Sequence, residues 1–116
     1  MKTHTPELRC FINKTKDILN VLYYNPDGCF AHGQYVWLKI PKSEIENNID
    51  YEIPDEYFSE IIETSAKCYL IDHSDNPSEN KEFEYTDKLF KTLTVIPDLN
   101  KNTLEHIFEN KNIKIL

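Results

Sequence analysis

Three cysteines, four histidines and twenty acidic side chains are the groups with which this 116-residue chain could do chemistry. Cys29-x-x-His32 and Cys68-x₄-His73 together supply two thiols and two imidazoles, the donor set of a tetrahedral zinc site. Their spacing argues against it. Paired Cys-x-x-Cys knuckles are absent, and on a strand Cys68 and His73 would have opposite parity and point to different faces. A thiol nucleophile needs a histidine within hydrogen-bond reach and a group that orients it, a set Cys29 could assemble with His32 or His73 and an aspartate. Cys29 nevertheless lacks the glycine-flanked elbow or helix N-terminus that would lower its pKa. Asp72-x-x-Asp75 and the glutamates of 44–63 lack the Asp-x-Asp-x-Asp-Gly spacing of a calcium loop. The expectation is a chain with no metal, no cofactor and no catalytic residue.

The acidic side chains carry more information through where they fall. Fourteen of the twenty lie between Glu44 and Asp87, against two basic residues in that stretch, Lys67 and Lys81. The flanking segments 1–43 and 88–116 are each slightly basic, so the chain's formal charge of −7 is concentrated in its middle. Such a field repels nucleic acid and anionic lipid and steers a basic protein into contact. The lysines outside the acidic stretch, among them Lys14, Lys16, Lys39, Lys42, Lys88, Lys91 and Lys101, are scattered, and the pI is about 5.0, so no direct nucleic-acid binding is expected. Aromatic side chains bury large area and still offer a polar tip, as binding hot spots do. The candidate partner-binding set is therefore Asp50, Glu52, Asp55, Glu56, Glu60 and Glu63, with Tyr51, Tyr57 and Trp37 beside them.

The body that must hold these residues is one domain, 1–116, since this length builds a single core and not two. Apolar residues at 40% and aromatics at 12% exceed what a disordered acidic tail carries, so the acidic surface sits on a folded core. An odd number of cysteines and no apolar leader point to reduced thiols and a cytoplasmic protein, and no apolar run reaches the ~20 residues of a membrane span.

Thr5-Pro6-Glu7 has the N-cap, N1 and first-turn signature of a helix, and Leu8, Phe11, Ile12, Leu19, Leu22 and Tyr23 follow at helical offsets, which predicts a helix over 6–24. The same residues also fit two strands, 8–12 and 18–24, joined by a polar turn at 13–17. Asn25-Pro26-Asp27-Gly28 reads as a turn that ends this element. Alternation over 34–40 predicts a strand with Tyr35, Trp37 and Lys39 on one face and Val36, Leu38 and Ile40 on the other. Ser43-Glu44-Ile45-Glu46 fits a capping box over a single helical turn, and Ile49, Tyr51 and Ile53 a short strand. Residues 54–65 read as a helix with Tyr57, Phe58, Ile61 and Ile62 inward.

A strand is expected at 67–72, a polar loop at 73–81, and strands at 82–85 and 89–96, with a short helix over 87–93 as the alternative to the last. A helix from Asn102, packed through Leu104, Ile107 and Phe108, and a closing strand near Ile113 complete an α+β domain. Its expected form is a mostly antiparallel sheet of four to six strands with two or three helices.

In size, charge and composition, rich in Asn, Lys and Ile and poor in Gly, the chain resembles proteins of AT-rich bacterial or phage genomes. Among these it is similar to the small acidic inhibitors of genetic conflict: immunity proteins of nuclease toxins, and phage anti-CRISPR or other anti-defence proteins. That resemblance implies occlusion of a basic, nucleic-acid-handling partner. Two other classes fit the same sequence: a small enzyme with an acidic cleft around 72–84, and an oligomerisation module, a homodimer included. A pocket holding His or Cys in contact with a carboxylate would favour the enzyme, a flat acidic face the inhibitor, and a long unpaired strand edge the oligomer.

Overall fold

In the computed structural model, which describes residues 7–29, 32–72 and 81–116, residues 8–12 and 18–24 lie in strands, the second of the two readings of that stretch, and not in a helix. Strands β1 (Leu8–Ile12) and β2 (Ile18–Cys29) make an antiparallel hairpin with Arg9 opposite Leu22 and Ile12 opposite Leu19. Its turn is organised by Asn13, whose side-chain oxygen accepts from the backbone N–H groups of Asp17 and Ile18, both at 3.0 Å. Lys16 takes the left-handed φ of 58° that the reversal needs. The helical offsets misled because both strands are central: Cys10, Phe11, Ile12, Leu19, Val21 and Leu22 are all buried, on alternating faces, so apolar residues do not alternate with polar ones.

β2 does not stop at Asn25 but runs to Cys29 through a register shift, pairing with β3 (His32–Pro41). β3 pairs in turn with β4 (Lys67–Asp72), and β5 (Thr94–Ile96) and β6 (Lys114–Ile115) share the other edge of β1. The resulting six-stranded sheet runs β4-β3-β2-β1-β5, with β6 parallel to β1 and every other pair antiparallel.

Helices cover both faces. Helices α1 (Lys42–Ile49), α2 (Asp55–Ser65) and α4 (Lys101–Leu104), with a 3₁₀ turn at Ile107–Glu109, pack over Cys10, Ile12, Leu19, Val21, Val36, Leu38 and Ile40. Phe58 and Ile62 of α2 and Ile45 of α1 are the buried anchors. On the opposite face α3 (Lys81–Thr92) closes over a smaller cluster of Phe11, Leu22 and Leu93, with Trp37, Leu89 and Phe90 packed against it. Among the described residues the molecule is thus a single α+β domain of six strands and four helices.

Four local expectations change. The strands expected at 82–85 and 89–96 give way to the single helix α3 as far as Thr92, which takes in most of the alternative helix at 87–93, and only Thr94–Ile96 remains strand, as β5. Its inward positions include Thr86, which is fully buried and donates to the Glu82 carbonyl at 2.8 Å, and Asp87, which accepts from the Tyr35 hydroxyl at 2.5 Å. Polar residues on the inward stripe hid the helical period. The strand expected at 49–53 is absent. Ile49 ends α1, and the carbonyls of Tyr51 and Ile53 accept from the Lys101 ammonium in place of a neighbouring strand. The capping box at Ser43 is not made, because α1 starts at Lys42 behind Pro41, two residues before a Ser43 cap would start it, and has no side-chain cap; Asn100 and Thr103 form one at α4 instead. Finally, Tyr57 is exposed and Ile61 only half-buried, so α2 packs through Phe58 and Ile62 alone. The expected loop at 73–81 lies outside the described residues up to position 80.

Candidate functional site: an acidic face around two tyrosines

The segment that leaves α1 and enters α2 carries Asp50, Tyr51 and Glu52, and Pro54 then sets the extended backbone that opens α2. Asp55 and Glu56 occupy the first turn of α2, where its unpaired N–H groups favour negative charge. Glu56, Glu60 and Glu63 follow at helical spacing on the stripe opposite Phe58 and Ile62, and Tyr57 borders that stripe. All six carboxylates are exposed, as are Tyr51 at 67% and Tyr57 at 53%. The structure therefore brings eight of the nine expected site residues to one side of the sheet.

Trp37 lies apart. It belongs to the face covered by α3, where its ring meets Phe11 edge-on at 5.9 Å and its indole N–H donates to Asn20 at 2.9 Å. The odd parity that put Trp37 with Tyr35 in the sequence already set it against the even-numbered residues beneath α2.

Neutralisation of this surface is slight. Among the described residues none of the six carboxylates forms an ion pair, whereas Glu7, Glu46, Glu84 and Asp87 each pair with a Lys or Arg. Lys101 reaches the segment but donates to main-chain carbonyls. Glu63 shows the consequence: partial burial, then the negative charges of Asp98 and Glu60, hold its pKa above the ordinary 4.5. A carboxyl with a raised folded pKa favours the fold when protonated, so this contribution is present below 4.5 and is lost as pH rises through the folded value. Glu63→Gln is accordingly expected to raise the melting temperature at neutral pH. The gain should shrink in high salt and vanish below 4.5, as differential scanning fluorimetry across pH would show.

The two cysteines with described side chains lie on non-adjacent strands, β1 and β4. Cys10 is fully buried in the core, and desolvation pushes its pKa to about 12. Cys68 is exposed on β4. The side chains of Cys29, His32 and His73 lie outside the described residues, and among those described no group of three or more His, Cys, Asp or Glu is placed to hold a metal. Brief alkylation of the native protein followed by mass spectrometry is expected to label Cys68 and leave Cys10 untouched until denaturant is added.

One open cleft of about 600 Å³ lies between β5 and the α4–3₁₀ segment, a location the sequence did not suggest. It holds His106, whose Nδ1 lies 3.4 Å from a Glu109 carboxylate oxygen, with both side chains more than 70% exposed. Its two threonine hydroxyls, Thr94 and Thr103, donate to the carbonyls of Asn112 and Asp98. This His–Glu contact is open to water on both sides, where such pairs contribute little. No helix among the described residues is long and apolar enough to cross a membrane. Compared with models of known protein families, with curated proteins and with solved structures, the chain finds no match.

Proposed function

We propose that this chain is a binding protein that occludes a basic, nucleic-acid-handling protein, in the manner of a toxin immunity protein or a phage anti-CRISPR or anti-defence protein. The observation that supports this reading is the set of six exposed carboxylates, unpaired among the described residues, around two exposed tyrosines on the α1–α2 side. Unpaired carboxylates on a rigid helix stand where nucleic-acid phosphates would stand against the partner's Arg and Lys, which they engage through charge-assisted bonds. Tyr51 and Tyr57 supply the apolar area that charge alone does not, since affinity concentrates in a few aromatic anchors and charge chiefly sets the on-rate. Trp37 is left to the sheet's other face and takes no part.

A photo-cross-linking amino acid at position 57, expressed in the organism that encodes the chain, tests the reading. The expected product is one basic protein captured from position 57 and not from Val95, which is exposed on the opposite edge strand. Equal capture from both positions, or capture of an acidic protein, would refute it.

A further inference from the structure

Lysines that stand far apart in the sequence are gathered by the sheet. Strand pairing aligns Lys114 of β6, Phe11 of β1, Asn20 of β2, Lys39 of β3 and Lys67 of β4 as successive Cα partners in one row. Directly opposed residues share a face, and Phe11 places this row on the α3 side, away from α2. The next row on that face brings Leu22, Trp37 and Tyr69 into line. Among the described residues none of the three lysines forms an ion pair. The helix that covers this face, α3, has three basic and three acidic side chains and adds no net charge.

Two features of the row are unfavourable as they stand. Lys39 and Lys67 are directly opposed like charges, an arrangement that destabilises a sheet. Asn20 is only 4% exposed, and its side-chain oxygen accepts from the Trp37 indole N–H at 2.9 Å. Indole is a donor only, so this bond fixes the amide's orientation and leaves its NH₂ group over. That group has no acceptor among the described residues. Since no wholly buried side-chain nitrogen or oxygen among them lacks a partner, the NH₂ must open onto the face. The Lys39 ammonium converges on the same place, 5.7 Å from the Trp37 ring centre and 5.1 Å from that of Tyr69.

We propose that this patch binds a small phosphate monoester, its phosphate held by Lys39 and Lys67 and by the Asn20 amide. Charge complementarity selects the ligand. Two opposed ammonium groups balance a phosphate monoester, which carries about −1.5 to −2 at neutral pH, whereas a carboxylate or a phosphodiester brings a single charge. Lysine serves phosphate as a point charge, where planar bidentate recognition of a carboxylate favours arginine. Tyr69, 46% exposed, forms the wall beside the two lysines. The acidic stripe of α2 is no obstacle: it lies beyond the sheet and across a helix diameter of roughly 10 Å, more than the Debye length of about 8 Å at physiological ionic strength. This site goes beyond the proposed function and does not rest on it.

Trp37 is the chain's only tryptophan, so its indole N–H resonance reports on this patch alone. Titration of ¹⁵N-labelled protein with adenosine monophosphate, at ionic strength held constant with sodium chloride, is expected to shift that resonance along a saturable curve. Lys39→Gln and Lys67→Gln should each raise the dissociation constant by roughly tenfold, the effect of losing one charge-assisted bond. Their thermal melts should stay level or rise slightly, because the like-charge opposition is relieved. Lys14→Gln, in the β1–β2 turn, should bind as wild type does. The absence of a saturable shift, unchanged binding by both Lys39→Gln and Lys67→Gln, or saturation as tight with acetate or with oligothymidylate lacking a terminal phosphate would each overturn the proposal.

Discussion

Ile62→Ala is expected to lower the unfolding free energy by roughly 2–4 kcal/mol, the range for removing a large aliphatic side chain from a packed core. Ile62 is fully buried between α2 and the sheet, in one cluster with Phe58, Ile45, Leu38 and Ile40, so its loss leaves a cavity in the packed core. Glu60→Ala, two residues earlier on the outward stripe, should change stability by less than about 0.5 kcal/mol. Ile61→Ala should fall between, because Ile61 is half-buried. Urea unfolding of the three variants at constant m-value is the check. A larger loss from Glu60→Ala than from Ile62→Ala would mean that the carboxylates are internal structure and not a surface.

The second large effect concerns association. Glu52→Lys, Glu60→Lys and Glu63→Lys combined change the local charge by six units without touching the first turn of α2, where the helix dipole favours Asp55 and Glu56. The expected result is an association rate with the captured partner lower by roughly 10- to 1000-fold at low salt, with the difference shrinking as ionic strength rises. The dissociation rate should change far less, and the melting temperature should stay level or rise slightly, since partial burial and then the nearby Asp98 and Glu60 disfavour the Glu63 carboxylate. Surface plasmon resonance at several salt concentrations measures both rates. Equal association rates for wild type and variant would remove the electrostatic basis of the proposal.

Legibility of the fold followed burial. β3 and β4 alternate or are bounded by clear breakers, and both appear where their patterns predict, as does α2 behind Pro54. β1 and β2 were legible only as the second of two readings, because strands covered on both faces lose the alternation that identifies a strand, and a chance helical spacing of Leu8, Phe11, Ile12, Leu19 and Leu22 competed with it. α3 was legible only in its second half, as the alternative helix over 87–93, for the converse reason: Thr86 and Asp87 lie on its inward side, satisfied by the Glu82 carbonyl and the Tyr35 hydroxyl, and no period of apolar residues counts them. The acidic side of α2 was visible as charge at helical spacing. The separation of Trp37 from it needed only the parity of β3. The row of Lys39, Lys67 and Lys114 was not visible, since a strand's place in the sheet order depends on pairings that no local pattern encodes.

Amide hydrogen exchange of the chain, free and bound to its captured partner, tests the central claim most directly, because it reports every backbone segment at once. Slowed exchange confined to residues 50–65, with 94–113 around the cleft unchanged, is the result that the acidic-face account predicts. Protection over the cleft with 50–65 unaffected would contradict it and move the site to the groove beside β5.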